Sequence, residues 1–214
     1  MTRKTLGGIG LATAMLLLSS VDLFSGEQPT QPSNEKTISK VYIPPEEDLV
    51  KTLTMDEGRR NWVYDDATGK RLYPGQQPKG KRTIGVGFNL ERAEAKQKIE
   101  EIGLNYADVK YGKKEIADWQ IDKLRNDDIA TAKKDARNYI GERFDSLPKG
   151  VQDILTNMAF NMGYGGLSGF TKLREAVNRG DYNRAAQEME NSKWYSQTGD
   201  RSKRLVKKMR SYAP

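Results

Sequence analysis

Residues 54–66 read TMDEGRRNWVYDD, and this stretch decides the fold. Upstream, Leu49, Val50 and Leu53 recur at helical spacing, and Glu57 falls on the face of Leu49 and Leu53. Gly58 is placed to end that helix in a left-handed conformation. The pattern then changes. NWVYDD (61–66) alternates and is rich in Trp, Val and Tyr, and RTIGVGFNL (82–90) behaves likewise, so both read as strands. An acid stands on each side of the switch, Glu57 and Asp66. A carboxylate partly buried at a helix C-terminus is disfavoured in its ionised form, as a general acid requires. Asp65 is a neighbouring candidate for the second carboxylate, but alternation points it to the opposite face from Asp66.

Working outward, ATGKRLYPGQQPKGK (67–81) is a turn-rich loop between the strands. Beyond Arg92 the pattern is helical throughout. IADWQIDKLRNDDIATAKKDARNYI (116–140) turns Ile116, Ile121, Leu124, Ile129, Ala132, Ala136 and Tyr139 inward. VQDILTNMAFNM (151–162) is apolar around most of its circumference, which predicts a central buried helix, and YGGLSGF (164–170) breaks it. LREAVNRG (173–180), YNRAAQEMENS (182–192) and RSKRLVKKMRS (201–211) supply three more short helices. The expected class is α+β: a small N-terminal β-sheet lobe with a mainly α-helical C-terminal lobe.

Composition narrows the chemistry. The 214 residues include no cysteine and no histidine. Ser-His and Cys-His nucleophile systems are therefore excluded, together with the commonest metal ligand. Acid–base work falls to Asp, Glu, Lys or Tyr. The net charge is +7, which suits an anionic partner. Residues 193–210 hold seven basic residues and one acid, a local charge of +6. A basic terminal helix is most often a solvated face, yet this density favours an anionic wall or outer-membrane surface.

The N-terminus stands apart. Arg3 and Lys4 precede an uncharged run, residues 5–21, of which nine of seventeen are Gly, Ala, Ser or Thr. This is an export pattern, and residues 1–24 read as a signal peptide or a signal-anchor, with both open. Residues 25–45 are polar and proline-bearing, a flexible linker, and residues 46–214 form the folded domain. Either leader puts that domain outside the cytoplasm, with a tether to the inner membrane through residues 5–21 if the leader is retained.

DEGRRNWVYDD (56–66), TIGVGF (83–88), NMAFNMGYGGLSGFTKL (157–173) and SKWYSQTGDRSKR (192–204) stand in one order. This chain closely resembles the phage-type lysozymes, the family of the T-even phage muramidase, from about Leu49 to Arg210. The last two motifs are the specific ones. The resemblance implies that Glu57 is the general acid, that Asp66 orients or deprotonates the attacking water, and that Thr83 holds it. Phe160, Asn161 and Asn89 become substrate-binding candidates, although periodicity alone would put Phe160 in the core. Asp56, Arg201 and Arg204 become active-site support, with the arginines beside the acid pair Asp56 and Glu57. The implied activity is hydrolysis of the β-1,4 bond between N-acetylmuramic acid and N-acetylglucosamine in peptidoglycan, by an inverting route. No metal or cofactor and no nucleic acid is implied, and the expected state is a monomer. The weakly apolar leader is similar to those of signal-arrest-release endolysins.

Two departures stand out. Sixteen residues separate Asp66 from Thr83, where the family usually has about five; an inert surface insertion is the favoured reading of the surplus. Phe88 occupies the place of a histidine that the family treats as a structural ion-pair partner, so its loss bears on stability rather than chemistry. Three rival functions remain open: a non-catalytic wall-binding or virion structural protein with this fold, a lytic transglycosylase, and a basic nucleic-acid binder.

Overall fold

The computed structural model describes residues 45–214, with side chains from Asp48 onward. The leader expected at 1–24 and the linker expected at 25–45 lie outside the described residues, apart from Pro45. Helix α1 (Pro45–Glu57) buries Leu49 and Leu53. It ends as its sequence predicts: Gly58 takes φ 75° and its N–H donates to the Thr54 carbonyl at 3.0 Å.

Strand β1 (Arg60–Asp65) follows at once. The run 82–90, expected as a single strand, is a hairpin of β2 (Arg82–Gly85) and β3 (Phe88–Asn89). Its alternation continues through the turn, which hides the reversal. Gly85 (φ 66°) and Gly87 (φ 71°) supply the left-handed conformations that the turn needs. The sheet is antiparallel in the order β1-β2-β3, with Tyr64 opposite Thr83, Asp65 opposite Arg82, and Thr83 opposite Asn89. Alternation turns Val63 and Ile84 into the core of this lobe. Tyr64, Thr83 and Asp66 fall on the other face.

The long loop is less detached than its composition suggests. Residues 70–72 fold back along the free edge of β1: the Leu72 N–H donates to Val63 O at 2.9 Å, and Tyr64 bridges Arg71. Leu72 is buried in the same core as Val63. Helices α2 (Ala95–Glu101) and α3 (Tyr106–Lys110) close that core with Ile99 and Val109.

Helix α4 (Asp118–Ile140) joins two separate apolar cores. Ile121 and Leu124 belong to the first, and Ala132, Ala136 and Tyr139 belong to the second. Ile129, also expected inward, is only partly buried, because it falls between the two cores. Helix α5 (Lys149–Ser168) is central, with Ile154, Leu155 and Met158 fully buried. Burial of each such side chain stabilises by about 1.5–3 kcal/mol. Its path breaks at Gly163 (φ 67°) and helical turns resume to Ser168. Helices α6 (Thr171–Arg179), α7 (Tyr182–Glu190) and α9 (Asp200–Arg210) pack one face each on the second core. Helix α8 (Lys193–Thr198) goes unread in the sequence, since six residues carry too little periodicity. It is fixed by Ser192, which accepts the Tyr195 N–H, and by the buried Trp194.

Candidate active site

Glu57 ends α1, and two elements from opposite ends of the chain hold its carboxylate. Arg201, from the first turn of α9, donates from Nη1 to Oε1 at 2.5 Å. Gly87, in the β2–β3 turn, lies against the other oxygen: a Cβ there would stand 2.9 Å from Oε2. A methyl at that position would force the Glu57 carboxylate to move.

Arg201 is itself locked. Its Nε donates to Asn157 Oδ1 at 2.8 Å and its Nη2 to the Asn157 carbonyl at 3.2 Å. Asp56 is 3.5 Å from the same Nε, an ion pair without its own hydrogen bond. Asn157 Nδ2 donates to Asp56 Oδ2 at 3.2 Å, and Arg204 Nη2 binds Asp56 Oδ1. The side chains of Asp56 and Arg201 are 1% and 8% exposed. Adjacent acids on α1 thus face a buried guanidinium whose position is set by the asparagine between them. Asp56, Arg201 and Arg204, expected as active-site support, stand together in this network with Glu57. Asn157 escapes the sequence reading, although a buried amide on an otherwise apolar helix is a signal for such a role.

Tyr64 is a second residue that reads only as a strand position. It is buried under the Arg60 guanidinium, which lies 4.3 Å from its ring centre. Burial holds the phenol above its ordinary value; Arg60 opposes this and the Glu57 carboxylate adds to it. Glu57 and the Tyr64–Thr83 pair therefore share one electrostatic neighbourhood. Thr83 is buried beside Tyr64, with Asn89 opposite on β3. Asn89 Oδ1 accepts the Glu91 N–H at 2.8 Å. Asp66 is exposed just past β1, where its Oδ1 accepts the Lys81 N–H at 2.7 Å. Asp65 points the other way and is buried, as alternation predicts.

Phe160 is half-buried and shares with Gly87 a polar cavity of about 230 Å³, which Arg92, Asp127, Asp128 and Gly163 also line. It therefore opens toward the turn that supports Glu57. Asn161 lies in a different groove, where its Oδ1 accepts the Trp194 indole N–H at 3.0 Å. At position 88 the phenyl ring is fully buried, and Arg92 covers it at 4.0 Å while donating from both terminal nitrogens to Asp128. Burial pushes the Asp128 carboxyl up, with Arg92 opposing. An arginine four residues on thus forms an ion pair that Phe88 cannot.

The sequence family described as phage lysozyme matches residues 65–211. The chain belongs to the phage lysozyme family. The match begins after Glu57, so the seat of that residue is known from the geometry above. Two relatives extend the likeness upstream in length. The chain is 29% identical over 175 residues to the pre-baseplate central spike protein of Enterobacteria phage T4, covering 76% of this chain and 27% of that protein. It is also 29% identical over 165 residues to probable T4-type lysozyme 2 of Dictyostelium discoideum, covering 74% of this chain and 91% of the relative. The chain thus spans about a quarter of the spike protein and nearly all of the Dictyostelium one.

Proposed function

We propose that this chain is a muramidase, hydrolysing the β-1,4 bond between N-acetylmuramic acid and N-acetylglucosamine of peptidoglycan. The observation that carries the reading is the seat of Glu57, held between Arg201 and Gly87 and near enough to Tyr64 for its carboxylate to act on that phenol, with Thr83 paired to Tyr64. Glycoside hydrolysis needs one carboxylic acid to protonate the leaving oxygen and one carboxylate to prepare water. Glu57, in a confined site, is assigned the first task. Asp66, exposed and fixed through one oxygen, is assigned the second, with Thr83 holding the water. That division favours inversion, for which the two carboxyl groups stand roughly 6.5–9.5 Å apart. Phe160, Asn89 and Asn161 are assigned to the saccharide, and Asp56, Arg201 and Arg204 to support. The chain's own residues suffice for this chemistry, and the enzyme is assigned as a monomer without affinity for nucleic acid.

Membership of the phage lysozyme family and the likeness to a probable T4-type lysozyme support the peptidoglycan substrate. The assigned setting is lysis of a Gram-negative host by an exported enzyme, tethered through residues 5–21 until release. Among the described residues no helix is long and apolar enough to cross a membrane, so the tether rests on the leader sequence alone. The likeness to a phage central spike protein favours a second setting, a virion component that opens the wall on entry. Product analysis tests the chemistry: purified peptidoglycan treated with the full chain yields reducing muramic ends. Anhydro ends identify a transglycosylase instead, and no cleavage leaves a binding protein with this fold.

A further inference from the structure

The loop that lengthens this chain between Asp66 and Thr83 is tied, at both arms, to the two acids that open it. Asp65 is 3% exposed. Its Oδ1 accepts the Ala67 N–H at 3.2 Å and the Gly80 N–H at 2.9 Å; its Oδ2 accepts the Thr68 hydroxyl at 2.8 Å and the Lys79 N–H at 3.1 Å. One side chain thereby joins the outgoing turn to the returning arm. Burial pushes this carboxyl up, but the four donors outweigh it and hold it below the usual carboxylate range. The tip of the loop is tied separately. Arg82, buried on β2, donates to Gln76 O at 3.2 Å and to Gln77 Oε1 at 2.8 Å.

Asp66 meets the same returning arm twice. Its N–H donates to Lys81 O at 3.1 Å, and its Oδ1 accepts the Lys81 N–H at 2.7 Å. Gly80 lies directly under that carboxylate. A Cβ at Gly80 would stand 2.0 Å from Asp66 Oδ1 and 2.9 Å from Ala67 Cβ. Gly80 is absent from the positive-φ glycines, so the position needs glycine for room and not for backbone conformation. An alanine there is compatible with the local backbone conformation; the tip of Asp66 must yield most, and Ala67, whose N would lie at 3.0 Å, must shift slightly as well.

We propose that residues 79–81 are the seat that fixes the Asp66 carboxylate, with Asp65 and Gly80 as positioning residues. The inference rests on the assignment of Asp66 to the catalytic pair made above. On this account the insertion is part of the catalytic machinery. Asp65 holds the returning arm down, the arm presents the Lys81 N–H, and Gly80 leaves the space in which the carboxylate lies.

The test compares full-length Gly80→Ala and Asp65→Asn proteins with wild type on purified peptidoglycan. It records kcat, KM and melting midpoint, and repeats Gly80→Ala in an Asp66→Ala background. Gly80→Ala lowers kcat by about 10²-fold, the scale of a misplacement near 1 Å, while KM holds and any fall in the melting midpoint from the Ala67 contact is the same with and without Asp66. On Asp66→Ala it costs no further turnover, because it acts on kcat only through that carboxylate. Asp65→Asn turns a donor toward the Lys79 N–H or the Thr68 hydroxyl and lowers kcat in the same sense; it decides the matter if Gly80→Ala does not fold. Wild-type turnover in both variants overturns the proposal, and so does an equal loss of turnover from Gly80→Ala with and without Asp66. An inactive wild-type chain overturns the muramidase reading itself, which separates the two failures.

Discussion

Asp56 and Arg204 form one ion pair, yet removing either partner should have very different consequences. The Arg204 side chain is 44% exposed, whereas that of Asp56 is 1% exposed. In Arg204→Ala, Asp56 keeps the Asn157 amide at 3.2 Å and Arg201 at 3.5 Å, the latter shared with Glu57, so it retains buried partners. The loss is then that of an exposed pair, about 0–1 kcal/mol. In Asp56→Ala the buried Arg201 loses a carboxylate that nothing replaces. Removing one partner of a buried pair costs about 3–5 kcal/mol. Arg201 still has Glu57 at 2.5 Å, which places the expected loss at the lower end, about 3 kcal/mol. For a domain of this size the melting midpoint falls by about 2–4 °C per kcal/mol, hence by about 6–12 °C for Asp56→Ala and less than about 4 °C for Arg204→Ala. Thermal and urea unfolding of the two single variants measure this directly. Equal losses, or a larger loss from Arg204→Ala, would refute the argument that the buried member of the pair sets the cost.

Other expectations follow from the same geometry. Gly87→Ala forces a left-handed φ of 71° on alanine, at a cost of about 1–2 kcal/mol in unfolding. It also drives a methyl into Glu57 Oε2, so turnover should drop by about 10²-fold or more, beyond what the stability loss explains. Phe88→Ala empties a fully buried site under Arg92 and should cost about 3–5 kcal/mol by urea unfolding; a loss under about 1 kcal/mol would show that the arginine refills the space. Asp65, Asp122 and Asp127 are all held below the ordinary carboxylate value. Their unfolded forms bind protons first as pH falls, so the stability they give is complete above about pH 4 and is lost through the depressed folded values below it. Asp128 and Asp153, raised by burial, act oppositely: what they give is full below about pH 4 and is lost as pH rises from there through their raised folded values. Unfolding midpoints between pH 2 and 6 should show the acid limb shrink in Asp122→Asn and steepen in Asp128→Asn.

Much of the fold was legible because its signals are local. The Leu49–Leu53–Glu57 face and Gly58 announce the end of α1, and the α4 and α5 faces follow from apolar spacing. What stayed hidden depends on backbone conformation or on distant partners. The alternation in RTIGVGFNL is identical for a strand and for a hairpin, and only the left-handed φ of Gly85 and Gly87 separates them. Helix α8 is shorter than two turns and is held by Ser192 and Trp194 rather than by periodicity. In the site, Glu57 and Asp66 stand out because they flank a change of period. Asn157, forty-four residues from Arg201 and a hundred and one from Asp56, joins them only in three dimensions. The loop after Asp66 looked dispensable by composition, since Asp65 reads only as a second carboxylate candidate turned to the wrong face until its four donors are seen.

The central claim is that Glu57 donates the proton that frees the leaving sugar. The most direct measurement is turnover of purified peptidoglycan by full-length Glu57→Gln, with substrate binding and melting midpoint followed on the same protein. Glutamine keeps the size of the side chain and can still pair with Arg201 through its carbonyl oxygen, so fold and binding should persist. The account predicts a fall in turnover of about 10²–10⁴-fold from lost proton transfer alone. A variant that binds, melts as wild type and turns over within about threefold of it would contradict the assignment, because general acid catalysis contributes far more than that.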